Sequence, residues 1–302
     1  MNLIKVGQDT HGKDVEVYYQ DYGQGDPIVL IHGWPLSSAS WEYQLAELPL
    51  HGKRVVAYDR RGFGLSSKPW NGYDYDTLAS DLNAVLTELD LQNVTLVGFS
   101  MGGGEVARYM SKYSGARVKN VIFVSAVTPY LLKTADNPEG VDKSVFDEMI
   151  QNLGKDRFDF LATFGKQFYG QGLLNKPVTQ ATLDWSQAMA LPASPRATTE
   201  CVRAFSSTDF RADLATIKVP TLFIHGADDQ TVPLANSAEQ AVKHVANARL
   251  VVYDGEAHGL NITAKDRLNR DILTFVNGQP VQDNFDSADV EAQPIRTENE
   301  AI

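Results

Sequence analysis

The strongest constraint on this chain is a set of short apolar runs that lack polar alternation. They are Ile28–Ile31, Val55–Tyr58, Val94–Val97, Val121–Val124, Thr221–Ile224 and Leu250–Tyr253, mostly bounded by Gly, Pro or Asp. A run rich in Val, Ile and Leu with no polar face must be covered on both sides. These segments therefore predict strands of a mostly parallel sheet with helices on both faces. Between them, Asp76–Leu89 sets Leu78, Leu82, Val85, Leu86 and Leu89 on one stripe at helical spacing. Strand, helix and strand in succession imply right-handed crossovers and an α/β fold. Asp14–Tyr22 alternates instead, which predicts an antiparallel edge strand. No internal repeat interrupts this order.

The rhythm breaks between about Thr128 and Asp213. That stretch is aromatic and irregular, with Phe146, Phe158, Phe160, Phe164, Phe168, Tyr169 and Trp185, and it carries no strand-like run. A helical insertion over the sheet fits it, and its aromatics either line a substrate pocket or form the insertion's own core. The expected organisation is an α/β core from 1–129 and 211–277, a helical cap from 130–210, and an acidic extension from 278–302. From Val281 onward there are six acids against one base, Arg296, so this end supplies five of the eleven net negative charges. Few apolar residues and no period predict a disordered or loosely docked tail.

Composition narrows the function. The chain has 302 residues, 43% of them hydrophobic, enough for one large α/β domain or two small ones. A net charge of −11 argues against nucleic acid, which needs a basic face. The single cysteine, Cys201, cannot form an internal disulfide, and the first residues contain no apolar signal-like run. No apolar run approaches the roughly 18 residues of a membrane span. The expectation is a soluble, cytoplasmic protein with no membrane partner.

The chemistry concentrates at Gly98-Phe99-Ser100-Met101-Gly102, directly after the strand Val94–Val97 and before a predicted helix at Gly103–Tyr113. A tight strand-to-helix turn forces its central residue into strained backbone geometry, and flanking glycines remove the Cβ atoms that would clash. Such a turn lifts the Ser100 hydroxyl clear of the sheet beside a helix N-terminus, where developing negative charge is favoured. Serine needs an adjacent base oriented by a third group. His258, in Ala257-His258-Gly259 after the last strand, is the expected base. Asp228 and Asp229 both follow the strand Thr221–Ile224 and both are candidate acids. His11 and His51 fall in predicted turns and His244 on a helix, while His32 and His225 suggest packing and hydrogen-bonding roles. Two backbone N–H groups should form an oxyanion hole, from Met101 and from Trp34 in His32-Gly33-Trp34-Pro35. Pro35 has no N–H to give.

With these residues in place the sequence resembles the α/β-hydrolases. The resemblance rests on His32-Gly33, Asp59-Arg-Arg-Gly-Phe-Gly-Leu-Ser66, the turn at Ser100 and Gly226-x-x-Asp229-x-x-Val-Pro233. More narrowly it is similar to the cofactor-free, non-haem haloperoxidases with their related arylesterases and γ-lactamases. That likeness is carried by Tyr73-Asp-Tyr-Asp-Thr77, Val97–Gly104, Ala107-Arg-Tyr109, Asp136–Gly140 and Ala257-His-Gly-Leu260, and spans roughly residues 14–277. The pattern implies Asp229 rather than Asp228 as the acid. It departs from the family after His258-Gly-Leu260, where Asn261-Ile-Thr263 replaces a bulkier residue, and after Gly278.

The resemblance implies acyl transfer from small carboxylic esters, with hydrogen peroxide able to replace water and yield a peracid that oxidises halide. No cofactor and no metal are expected, and no His-Glu-x-x-His pattern occurs in the sequence. Pro35 restricts the residue before it and so can aim the Trp34 carbonyl toward a bound peroxide, which implies a perhydrolysis-tuning role. The alternatives are a lactamase or amidase on the same triad, or a non-catalytic receptor with the same fold. Expected partners are a small ester or lactam and hydrogen peroxide, with a homo-oligomer left open.

Overall fold

The computed structural model describes residues 2–282. Residues 283–302, which hold the acids of the expected extension, lie outside the described residues. Among the described residues eight strands form one sheet: β1 (Leu3–Gln8), β2 (Asp14–Tyr22), β3 (Asp26–Ile31), β4 (Lys53–Tyr58), β5 (Val94–Phe99), β6 (Val118–Val124), β7 (Thr221–Gly226) and β8 (Ala248–Tyr253). The spatial order is β1-β2-β4-β3-β5-β6-β7-β8. β1 and β2 run antiparallel to their neighbours, and every pair from β4 to β8 is parallel.

The doubly covered runs are strands for the reason their composition suggests. Val29 and Ile31 join one apolar layer, while Ile28 and Leu30 join the layer on the other face. The first layer includes Leu78, Leu82, Val85 and Leu86 of helix Tyr75–Glu88, and the second includes Leu268, Ile272 and Val276 of helix Lys265–Val276. Each such side chain contributes about 1.5–3 kcal/mol when fully buried. Helix Tyr75–Glu88 starts where Asp74 accepts from the Thr77 N–H at 2.9 Å, an N-cap.

Two expectations need correction. Asp14–Tyr22 is a strand, but it lies between β1 and β4 rather than at the edge. The edge strand is Leu3–Gln8, where Ile4 is the one buried residue, so a half-exposed segment of this length left no pattern to read. At the other end Val281 is buried, and its carbonyl accepts from Arg249 at 3.0 Å. Val281 therefore packs with the body, although the surrounding acids had grouped it with the extension.

Between β6 and β7 stand helices Lys143–Lys155, Arg157–Phe168, Gln180–Ala190 and Pro195–Ser207. Among the described residues no helix is long and apolar enough to cross a membrane.

Candidate active site

The site lies where β5, β7 and β8 end. After β5 the chain turns through Ser100, at φ 54° and ψ −119°, into helix Met101–Lys112. That conformation is costly for a residue with a side chain and persists only where its surroundings hold it. The surroundings are specific. Ser100 N–H donates to Val124 O at 2.9 Å, and Ser100 O accepts from Gly103 and Val127 at 3.0 and 3.2 Å. A Cβ at Gly98 would stand 2.7 Å from Gly102 O, and one at Gly102 would stand 2.5 Å from Ile31 O. Only hydrogen fits at either position.

Ser100, Asp229 and His258 come together here. His258 Nε2 is 2.8 Å from Ser100 Oγ, and His258 Nδ1 is 2.7 Å from Asp229 Oδ2. All three are buried. Burial alone would raise the Asp229 pKa, but His258 and His225 beside it outweigh that and hold the carboxyl ionised far below its ordinary value. Asp228 is exposed and its N–H turns away to Glu256 O at 2.9 Å. Of the two acids, only Asp229 reaches the histidine.

Trp34 and Met101 flank Ser100 from two elements. Met101 opens the helix, and Trp34 follows β3. Among the described residues neither backbone N–H donates to another protein group. The Trp34 indole donates to Thr198 O at 3.0 Å, and its ring meets Phe164 edge-on at 5.1 Å. The inserted helices thus clamp the residue that carries one candidate oxyanion donor.

Below this loop lies a buried polar network whose role the sequence did not signal. Arg60 donates to His32 O at 2.8 Å and to Glu105 Oε2 at 2.9 Å, while the Tyr58 hydroxyl donates to Glu105 Oε1. The Arg60 N–H donates to His32 Nε2 at 2.9 Å, and His32 Nδ1 donates to Gly33 O at 2.8 Å. Burial and the Arg60 charge push the His32 pKa well down, so the neutral ring can donate and accept at once. The network joins the Trp34 loop to the helix behind Ser100. Removing either charge would strand the other, at a cost of about 3–5 kcal/mol. The strings Asp59–Ser66 and Val97–Gly104 contain or adjoin Arg60, Tyr58 and Glu105, but their pairing needs the fold.

A cavity of about 350 Å³ opens onto Ser100, and among the described residues no charged side chain lines it. Trp34, Phe146, Phe160, Phe164 and Phe205 form much of its wall. Phe158 is exposed instead, and Phe168 and Tyr169 line a second cavity of about 180 Å³ together with Pro35. Phe164 faces both cavities. Pro35 itself does not line the Ser100 cavity.

Residues 26–265 match the family described as alpha/beta hydrolase fold. This chain belongs to the α/β-hydrolases. Within them the hydrolase groups with the non-haem haloperoxidases. It is 42% identical over 265 residues to a non-heme chloroperoxidase of Kitasatospora aureofaciens, covering 87% of this chain and 96% of that protein. It is 38% identical over 278 residues to a bifunctional esterase/perhydrolase of Acinetobacter calcoaceticus, covering 90% and 99%. The crystal structure of a bromoperoxidase from Bacillus anthracis superposes with a TM-score of 0.88 at 46% identity, covering 91% of the hydrolase and 99% of that chain. The α/β fold and the family expected from the sequence are thereby established for this hydrolase.

Proposed function

We propose that this hydrolase is a serine esterase for small, uncharged carboxylic esters and that it also perhydrolyses them. The observation that carries the reading is the continuous relay from Ser100 Oγ through His258 to Asp229, with spacings of 2.8 and 2.7 Å. His258 Nε2 takes the Ser100 proton as Oγ attacks the ester carbonyl. The N–H groups of Trp34 and Met101 stabilise the oxyanion, and the proton passes to the departing alkoxide. Asp229 holds the imidazole tautomer and supports its charged form. Water then releases the acyl group as a carboxylic acid.

Hydrogen peroxide in place of water gives a peracid and restores the Ser100 hydroxyl. The peracid transfers one oxygen to bromide with uptake of a proton, leaving hypobromous acid and the carboxylic acid. Halide oxidation on this route takes its oxidising power from peroxide and needs a carboxylate carrier. The relatives named as chloroperoxidase and as esterase/perhydrolase support this pairing of activities. The uncharged lining of the Ser100 cavity favours apolar acyl and alkoxy groups over charged substrates. The helices between β6 and β7 serve as a cap over it, and Pro35 tunes the balance between peroxide and water through the Trp34 carbonyl.

The test is an ester chain-length panel run with and without hydrogen peroxide, beside a serine-directed phosphonate. An adduct at Ser100 and acetate-dependent bromide oxidation that survives exhaustive chelation are expected. No adduct would favour a ligand receptor. Activity lost on chelation and restored by one metal would overturn the peracid route.

A further inference from the structure

The relay to Asp229 does not end at His258. A second imidazole, His225 on β7, places Nε2 3.2 Å from Asp229 Oδ2, the same oxygen that His258 Nδ1 reaches at 2.7 Å. His225 is fully buried. Its Nε2 faces three oxygens: Asp229 Oδ2, Val232 O at 2.8 Å, and Ser237 Oγ at 3.4 Å. A carbonyl can only accept, and the Ser237 hydroxyl already donates to Pro233 O at 2.7 Å. Nε2 must therefore carry a proton. Nδ1 is buried and has no hydrogen-bond partner among the described residues, so a proton there would be stranded. The ring is thus set as the Nε2–H tautomer.

The other carboxylate oxygen is equally occupied. Asp229 Oδ1 accepts the N–H groups of Thr231 and Val232 at 2.9 and 2.8 Å. Three N–H groups, of Thr231, Val232 and His258, donate to the carboxylate, and the His225 Nε2–H, hydrogen-bonded to Val232 O, lies 3.2 Å from Oδ2. Among the described residues the titratable groups against Asp229 are the two imidazoles, with Asp228 next to it in the chain, and His258 is in turn enclosed by Ser100 and the rings of Phe99 and Phe168.

We infer that His225 is a positioning residue that fixes the Asp229 carboxylate and draws off part of its charge. This rests on the esterase reading above. His225 touches no substrate and acts only through Asp229. Its Nε2–H, anchored on Val232 O and lying against Oδ2, keeps that oxygen aimed at His258 Nδ1 and lowers the carboxylate's basicity. Without it, Asp229 would rotate more freely and would favour the imidazolium form of His258. The free base needed to take the Ser100 proton would then appear only at higher pH.

The experiment compares three full-length variants with the parent enzyme on a short-chain ester. Gln at 225 can place its amide N–H near the Nε2 position, Asn stops short of it, and Met has no donor. We expect His225→Met to lower kcat about tenfold, the scale of one hydrogen bond to a charged group, with KM nearly unchanged. Its acid limb of kcat/KM should move upward by about half a pH unit. His225→Asn should behave like His225→Met, and His225→Gln should recover most of kcat and restore the limb. Should the Met variant not fold, the Gln and Asn pair carries the comparison. An unchanged kcat and acid limb in a folded Met or Asn variant would overturn the inference. So would a Gln variant as impaired as Asn, which would show that only ring packing matters. Ester hydrolysis that persists in Ser100→Ala would instead sink the Ser100–His258–Asp229 relay on which the inference rests.

Discussion

The strand ends that hold Ser100, Asp229 and His258 differ in kind from the helices inserted between β6 and β7. At the strand ends, backbone N–H and C=O groups fix Ser100 and the Asp229 carboxylate, and glycines sit in contacts too close for any Cβ. In the inserted helices, rings such as Phe146, Phe160 and Phe164 line a cavity, and a glycine such as Gly165 has nothing within 4 Å of its missing Cβ. Chemistry needs atoms placed to a few tenths of an ångström, whereas an apolar pocket needs only shape and dryness. The floor should therefore punish small changes that the insertion absorbs.

The largest effect is expected at the triad. Ser100→Ala and His258→Ala should each lower esterase turnover by about 10³-fold or more, because the members act as a unit. Asp229→Asn should follow them, while Asp228→Asn stays close to the parent. Steady-state kinetics on one ester decides this, and a mild Asp229→Asn beside a severe Asp228→Asn would reverse the assignment of the acid.

A single type of substitution then separates the two regions by sign. Gly98→Ala drives a Cβ into the Gly102 carbonyl and should destabilise the fold by about 1–3 kcal/mol. Gly165→Ala, in the open interior of helix Arg157–Phe168, should stabilise it by about 0.5–1 kcal/mol. Denaturant midpoints measured on both variants would erase the contrast if the two shifts shared a sign.

Smaller still is the expected effect of Pro35, which lies between the regions. Pro35→Leu should lower the ratio of perhydrolysis to hydrolysis by several-fold, roughly 1 kcal/mol of selectivity, with ester hydrolysis largely kept. Parallel loss of both rates would reduce Pro35 to scaffolding.

Ending the chain at Gln282 should do least of all, leaving kcat/KM within about twofold. The cut spares Val281, which is buried, and removes the acidic, apolar-poor stretch. A tenfold loss in a folded truncation would mean that the stretch reaches the site.

Much of this was legible from local sequence. Doubly covered strands announce themselves because a run such as Ile28–Ile31 or Val94–Val97 has no polar face to expose. The turn at Ser100 is legible because glycines at 98 and 102 are needed wherever the backbone packs so tightly. Leu3–Gln8 escaped notice because one buried residue makes no period. The aromatics of 130–210 could not be sorted, since pocket and core demand the same side chains. The structure gives Phe146, Phe160 and Phe164 to the Ser100 cavity, Phe168 and Tyr169 to its neighbour, and Phe158 to solvent.

What the sequence determined by itself was therefore the set of backbone conformations and buried faces, which depend on residues a few positions apart. Which acid meets which histidine depended on something else. His258 and Ser100 are separated by 158 positions, and Asp229 and His258 by 29. Only the parallel order β5-β6-β7-β8 brings those strand ends to one edge of the sheet. The second imidazole on Asp229, and the Arg60–Glu105 pair beneath Trp34, were decided there too. A side chain's partner across the fold is set by topology and register, and neither is written in the spacing of its neighbours.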